Sequence, residues 1–554
     1  MEKKKTFIII ALALLVLSIG LTFAYFIAKT GPGSSANANV TTGTVDDLKF
    51  NVSKENISLN VNQFNFASGS GNITDTVTAT ASLKANSTKN TATYNYYVYF
   101  QIDSNNYVYT TTDKKPEIVL SITGPNGEIT SVDGLKYVSA TNADGTVVKG
   151  FDITEQRTSV IKIADSFEIS STSSTNYTNQ DWIFKVSFIN LDTNQADNEG
   201  KKLTGKALIQ QEKIITSISD VAKSGDALAT VLETLGTKGD SSLTGLYHHD
   251  ASLTNGAGDN SYRYAGANPN NYVCFGSDDT TCPTENLYRI IGVIDGKVKL
   301  IHAYGATTTM LGTDGGYVNT YQALVGNFSQ YYKGNGDLTK IGSYEWNKSG
   351  TNTWSTSTTN TTNLNINFLT YLDGKNAKWK TMIDDTTWYV GGMTSTNGYK
   401  SNAKTAYNYE VGANKDATTT VTSKIGLMYV SEYYYGATPD YWTLPGVDQN
   451  GSWNSDYTVW SGNDYSKAYN DNWMSTGLTE WTISRNSGVS DSAFAVIVFG
   501  NLAGGGVGSS SGGAVRPSFS LSSSIKFTSG EGTAVNPIRV ILWLGDYACL
   551  GRKG

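Results

Sequence analysis

The chain has 554 residues, only 16% of them charged, and its formal net charge is −6 at pH 7. No basic tract follows the first few residues, which excludes nucleic acid as a partner, and three cysteines exclude a disulfide-dense scaffold. The 34 tyrosines and 56 glycines favour β-strands joined by turns, and three histidines leave few candidates for histidine-based catalysis.

The first 28 residues predict export. The basic residues Lys3–Lys5 precede an uncharged, largely apolar run, Thr6–Ala28, and the small residue Ala24 suits cleavage by a signal peptidase. The run is also long enough to cross a bilayer. Residues 1–28 are therefore either a cleaved signal peptide or an N-terminal membrane anchor. In both cases the rest of the chain is predicted to be extracellular or on the cell surface.

Residues 29–213 predict a first domain built from β-strands. Alternation of apolar and polar residues puts one face of a strand on a core and the other in water. Turn signals at Pro125–Gly127 and Asp144–Gly145 separate such runs. Several short strands without a helical stretch predict a jelly roll or β-sandwich. Alternating runs include Thr74–Leu83, Tyr94–Ile102 and Trp182–Ile189.

The start of this domain resembles a known family. The stretches TFAYFIAKT (22–30) and TTGTVDDL (41–48), with Phe188–Gln195 and Gly200–Gly205 further on, are similar to the TasA/camelysin family of Bacillota surface proteins. The resemblance implies a jelly-roll module of the cell envelope or biofilm matrix, able in some members to polymerise. From this resemblance we expect that the chain can self-assemble through this domain. The segment from Tyr25 to Val40 would then serve as an intermolecular strand.

Residues 214–242 change to a helical pattern. Apolar residues recur at helical spacing from Ile215 to Leu235, Ser217 is a plausible N-terminal cap, and Gly236 a plausible stop. The sequence predicts one or two short helices that connect two domains.

Residues 243–554 predict a second, α+β domain with long polar loops and ten of the eleven tryptophans. Tyr288–Ile301 reads as a hairpin with an Asp295–Gly296 turn. Leu364–Leu372 and Ala377–Ile383 are predicted helices, and Ala493–Phe499 and Ile538–Trp543 are predicted buried strands. The fold class predicted for the whole chain is therefore mainly β with two domains.

This second domain also carries a resemblance. It is similar to a C-terminal domain of exported proteins of gut Bacillota, to which no activity is assigned. The layout Trp481-x-x-x-Arg485, followed by Val515-Arg-Pro-x-Phe-x-Leu521, is distantly similar to C-type-lectin-like and formylglycine-generating-enzyme-like domains. The resemblance implies a lectin-like fold. The stretches that carry it include 272–276, 282–301, 425–436, 480–485, 493–500 and 515–540.

The cysteines predict one disulfide. Cys274 and Cys282 lie close together in an exported chain, which favours a local bond. Cys549 is left over, as a buried or terminal thiol or as half of an intermolecular bridge. Because no second cysteine accompanies Cys549 in sequence, the cysteine chemistry of the formylglycine-generating enzymes is not expected here.

An aromatic set within a polar stretch supplies the candidate ligand-binding residues. Flat rings beside amides and carboxylates are what sugar rings stack on, whereas packing in a core is the alternative for most of them. Glu432 and Glu480 are the acids flanked by this set. The candidates are Tyr433, Tyr434, Trp442, Trp453, Trp460 and Trp473.

Three other features have structural alternatives. Asp448, Asn450 and Asp456 are candidate calcium ligands, with turn chemistry as the alternative, and no other cofactor is expected. His248 and His249 are adjacent, and neighbours on a strand face opposite sides, so a metal site is not expected there. Arg485 and Arg516 are predicted to form structural charge pairs or backbone contacts.

The sequence thus predicts an exported bacterial surface or biofilm-matrix protein that is adhesive and not an enzyme. Surface glycans or matrix components are the expected partners, bound by the C-terminal domain. An envelope enzyme acting on glycans or proteins is one alternative, and a purely structural filament subunit is another.

Overall fold

The computed structural model describes residues 46–62, 73–321, 331–334, 337–446, 468–510 and 512–543. These residues are mainly β, in several antiparallel sheets, which confirms the predicted class. They divide into two compact units, with the boundary between Ile214 and Ile215. In this part of the chain, no helix has the length and apolar character that crossing a membrane requires.

The first unit consists of strands that alternate between buried and exposed side chains. Gly127 and Gly145 adopt positive φ at the two predicted turns, as the turn signals require. The strands are β1 (Asp47–Val52), β2 (Ile57–Asn60), β3 (Ile73–Lys84), β4 (Ala92–Asn105), β5 (Ile118–Gly124), β6 (Gly127–Glu128), β7 (Tyr137–Thr141), β8 (Val147–Asp152), β9 (Ser159–Ser171), β10 (Thr178–Phe188) and β11 (Lys202–Gln210).

Two antiparallel sheets share the core of this unit. One runs in the order β1-β3-β10-β5-β8-β7, with β6 paired to β5, and the other in the order β2-β11-β4-β9. Phe100 of β4 stacks on Phe184 of β10 with ring centroids 5.6 Å apart. The buried Trp182 indole donates to the Tyr96 hydroxyl at 2.9 Å, so the two sheets interlock through aromatic side chains.

The second unit is organised around a six-stranded antiparallel sheet in the order β12-β13-β15-β16-β24, with β14 paired to β15, and four smaller sheets. Its strands are β12 (Leu246–His249), β13 (Ser261–Tyr264), β14 (Tyr272–Cys274), β15 (Leu287–Ile294), β16 (Lys297–His302), β17 (Tyr317–Thr320), β18 (Gly342–Tyr344), β19 (Thr386–Tyr389), β20 (Thr420–Ser423), β21 (Glu480–Arg485), β22 (Ser492–Val496), β23 (Leu502–Gly506), β24 (Ser518–Ser520), β25 (Ile525–Ser529) and β26 (Arg539–Leu542).

Short helices complete the second unit. The predicted hairpin is β15–β16, where Asp295 and Gly296 both have positive φ, as a type I′ turn requires. The helices are α1 (Leu228–Lys238), α2 (Ser241–Thr244), α3 (Thr308–Leu311), a π-helix (Thr359–Phe368), α4 (Leu369–Lys375), α5 (Ala377–Thr381), α6 (Ala403–Glu410), α7 (Val430–Tyr435), and five 3-10 turns (Ala196–Asn198 in the first unit, then Ile218–Asp220, Thr284–Asn286, Trp354–Thr356 and Pro439–Tyr441).

The helical stretch after residue 214 packs into the second unit. Leu228, Val231, Leu232 and Leu235 of α1 are buried in the same core as the six-stranded sheet. α1 runs through Gly236, the predicted stop, and ends at Lys238. This glycine is needed because a Cβ there would lie 2.4 Å from the Tyr262 ring, so α1 can approach β13 closely.

Candidate functional site

The aromatic residues predicted to bind a ligand are mostly core residues. Tyr433, Tyr434 and Trp442 have no measurable exposure, and Trp473 is only 5% exposed. The prediction of an exposed patch is therefore wrong for these four. Their polar atoms bond to backbone carbonyls inside the unit, Tyr433 Oη to Gly500 O at 2.6 Å being an example.

The polar atoms of the other three aromatic side chains also donate hydrogen bonds to backbone carbonyls. Tyr434 Oη donates to Gly398 O at 3.2 Å, and the indoles of Trp442 and Trp473 donate to Ala437 O and Tyr264 O at 2.9 and 2.8 Å. Because buried polar atoms must find partners, these bonds show that the rings are built into the fold.

Several predicted features lie outside the described residues. They are residues 1–28, Trp453, Trp460, the calcium candidates Asp448, Asn450 and Asp456, and Cys549. Within the described part of the chain, no group of three or more His, Cys, Asp and Glu side chains is placed to hold a metal ion.

The two acids beside the aromatic set are members of buried ion pairs. Glu432 binds Lys299 at 2.5 Å, and Glu480 binds Arg516 at 2.6 Å. Burial raises the pKa of Glu480 and lowers the pKa of Lys299. Arg485 donates to Gly391 O at 2.8 Å. Both arginines thus make the structural contacts predicted for them.

Cys274 and Cys282 form a disulfide, as predicted, with Cα atoms 5.8 Å apart. The loop between them is held by two further contacts, from Lys378 to Asp278 and from Arg539 Nη2 to Thr280 O at 2.8 Å.

Replacing both bonded cysteines by serine should lower the free energy of unfolding by about 2–3 kcal/mol, because the unfolded chain regains the freedom that the short closed loop removes. Urea denaturation of the double variant measures this. Cys549→Ser is the matched control, since it removes the third cysteine and leaves the bond intact. Equal unfolding midpoints for the double variant and the control would contradict the expectation.

The second unit carries a cleft of about 470 Å³, here called the His248 cleft. Three separate segments form it, namely the end of α1 with α2, strand β12 with the loop that follows, and the turn at Pro439. Its lining residues are Gly236, Gly239, Ser241, Tyr247, His248, Asp250, Ser252, Leu253, Thr254 and Pro439.

His248 and His249 face opposite sides of β12, as expected. His248 reaches the cleft, where its ring stacks on Tyr262 at 4.3 Å and its Nδ1 lies 3.5 Å from Asp250 Oδ2. His249 is buried against Tyr435, and burial lowers its pKa to about 3, so it is neutral. The two imidazoles therefore do not share an ion.

Asp250 is fixed by its own loop. Its Oδ1 accepts hydrogen bonds from Ser252 N at 2.8 Å and Ser252 Oγ at 2.6 Å. These bonds lower the pKa of Asp250. The carboxylate is thus ionised and oriented, and its Oδ2 remains on the side of His248.

Several polar groups of the cleft have no protein partner among the described residues. They are Tyr247 Oη, His248 Nε2, Ser241 Oγ and Thr254 Oγ1. Burial raises the pKa of Tyr247, and the carboxylates of Asp240 and Asp440 add to this effect. The Tyr247 hydroxyl is therefore a neutral donor and acceptor, beside the apolar surfaces of Leu253 and Pro439.

No protein-family model matches the chain, and a search of curated proteins returns no match.

Sequence reasoning missed this cleft. The sequence raises His248 only as a possible metal ligand, and Tyr247 and Tyr262 carry no signal because tyrosines are common in this chain. The buried residues of β12 are Leu246 and His249 at its two ends, so no period-two alternation marked His248 as outward.

Proposed function

We propose that this chain is an exported cell-surface or biofilm-matrix protein whose second unit binds neutral glycans in the His248 cleft. The first unit is a jelly-roll module like that of the TasA/camelysin family, suited to envelope attachment or self-assembly. The second unit is the lectin-like adhesive domain. The observation that carries the proposal is the set of unpartnered hydroxyl and imidazole groups beside apolar surface in one cleft.

A saccharide matches this lining chemically. Sugar hydroxyls both donate and accept hydrogen bonds, and hydroxyls, imidazole and carboxylate offer the complementary groups. The C–H faces of a pyranose pack on the apolar surfaces of Tyr247, Leu253 and Pro439. Small-ligand sites combine apolar walls with a few placed polar groups in this way.

Two further properties support an extracellular setting. The Cys274–Cys282 disulfide is of the kind that persists outside the reducing cytoplasm. The chain is rich in Asn, Thr, Ser and Gly, and only 16% of its residues are charged. Filaments of the purified protein in negative stain would support the self-assembly part of the proposal, and a monomer at all concentrations would count against it.

The full-length chain, screened on a glycan array, should bind neutral saccharides. Tyr247→Phe, which keeps the ring and removes only the hydroxyl, and His248→Ala should each weaken binding of the best ligand about tenfold, the effect of losing one ligand hydrogen bond. Isothermal titration calorimetry measures the change.

Tyr409→Phe is the matched control, because it makes the same chemical change on a partly buried tyrosine outside the cleft. Its affinity should equal that of the unmodified chain. Absence of any glycan ligand, or unchanged affinity in both cleft variants, would overturn the proposal.

A further inference from the structure

A second surface of the same unit has a different chemistry. Along β25 and β26, Ile525, Phe527 and Val540 point into the core. Lys526 lies opposite Ile541 in the register of the two strands. Because side chains alternate along a strand, Lys526, Arg539, Ile541 and Trp543 share the outward face. These four residues are here called the Arg539 face. Thr528, at the β-bulge between Phe527 and Ser529, lines a cleft together with Arg539.

The Arg539 face exposes large apolar side chains. Trp543 is 52% exposed and Ile541 44% exposed. The Trp543 backbone N–H bonds to Ser524 O at 3.3 Å, which continues the β25–β26 pairing by one residue and holds this indole on the sheet. The indole and the isoleucine side chain together offer an apolar surface that a ligand can contact.

The same face carries two cations that lack a carboxylate partner among the described residues. Arg539 makes one hydrogen bond, from Nη2 to Thr280 O, and no ion pair, and Lys526 makes neither. Guanidinium groups bind carboxylates through two parallel hydrogen bonds, which leaves Arg539 with unused capacity for such a group. The face is therefore both aromatic and positively charged.

A cleft of about 340 Å³ adjoins the face and shares Arg539 and Ile541 with it. Two carboxylates also line this cleft. Asp278 is neutralised by Lys378, and Asp279 Oδ2 accepts a hydrogen bond from Ser277 Oγ at 2.9 Å. Asp279 therefore keeps its charge, and the two cations of the sheet face outnumber this one carboxylate without an ion pair.

We propose that the Arg539 face binds a saccharide that carries carboxylates, of the uronic acid class. Trp543 offers a flat ring for the C–H face of the sugar, and Arg539 and Lys526 pair with its carboxylates. A neutral sugar can accept hydrogen bonds from these cations but cannot form the charge pairs. An acidic peptide bound by strand addition would pair with backbone groups at a sheet edge, whereas the unused groups here are side chains on the face.

The test compares α-1,4-trigalacturonate with maltotriose, a neutral α-1,4-linked trisaccharide, by calorimetry on the full-length chain. Trigalacturonate should bind about tenfold tighter or better, and the difference should shrink in 0.5 M salt, where charge pairs are screened. Arg539→Gln and Trp543→Ala should each weaken it about tenfold or more.

Two further variants separate binding from folding. Lys526→Gln breaks no hydrogen bond within the described residues, so a severalfold loss of trigalacturonate affinity there reports the ligand alone. Val535→Ala, at a residue 95% exposed outside this face, should change nothing. Equal affinity for the two trisaccharides, unchanged affinity in Arg539→Gln and Lys526→Gln, or tighter binding of hexaglutamate would overturn the proposal. The same comparison in the His248→Ala background, where the His248 cleft is weakened, should give the same preference for trigalacturonate, which separates this proposal from the one on that cleft.

Discussion

Trp442→Ala is expected to lower the free energy of unfolding of the second unit by about 3–5 kcal/mol, the range for removing a large aromatic side chain from a core. Trp442 has no exposed surface, and its ring centroid lies 5.1 Å from that of His249 and 5.2 Å from that of Tyr435. Its indole N–H bonds to Ala437 O, so the substitution leaves both a cavity and an unpaired carbonyl.

Urea denaturation followed by tryptophan fluorescence suits this measurement, because ten of the eleven tryptophans belong to the second unit. Trp543→Ala is the matched control. That indole is half exposed and leaves no closed cavity, so its removal should cost clearly less stability than the removal of Trp442. If the Trp442→Ala variant is as stable as the control, Trp442 is not a core residue and the prediction is wrong.

Local sequence signals predicted much of the fold. The Asp295–Gly296 turn was predictable because positive φ at both positions strongly selects these residue types. The strands around Thr74–Leu83 and Tyr94–Ile102 were predictable because apolar residues recur with period two. Such signals involve neighbours in sequence, and both halves of the chain contain them.

The candidate site could not be predicted in the same way. Whether an aromatic residue is buried depends on the distant segments that cover it. Tyr433 illustrates this, because its hydroxyl binds Gly500 O, which lies 67 positions further along the chain. The polar residues around Tyr433 in the sequence therefore indicated an exposed ring, whereas segments distant in sequence bury it in the folded protein.

The His248 cleft could not be predicted from local sequence either, because segments far apart in the chain form it. β12 supplies His248, β13 supplies Tyr262 beneath it, and the turn at Pro439 supplies a wall from nearly 180 residues away in sequence. No local pattern brings these segments together. The burial pattern of β12 gives no warning either, because Tyr247 and His248 are both partly exposed between the buried residues Leu246 and His249.

Breaking the buried ion pair between Lys299 and Glu432 is also expected to cause a large loss of stability. Lys299 Nζ lies 2.5 Å from Glu432 Oε1 and above the rings of Trp388 and Tyr429, at 4.7 and 4.9 Å. Glu432 Oε2 accepts a hydrogen bond from Tyr429 N at 2.9 Å, at the start of α7. Both charged groups are buried, so neither can exchange its partner for water.

Lys299→Met should therefore lower the free energy of unfolding by about 3–5 kcal/mol at pH 7, because it leaves a carboxylate buried without its cation. Adding Glu432→Gln should restore most of the stability, since the glutamine oxygen still accepts from Tyr429 N. Thermal or urea unfolding of the two single variants and the double variant gives a double-mutant cycle, which measures the interaction energy of the two residues. If the double variant loses the sum of the two single losses, the two residues do not interact and the destabilisation has another cause.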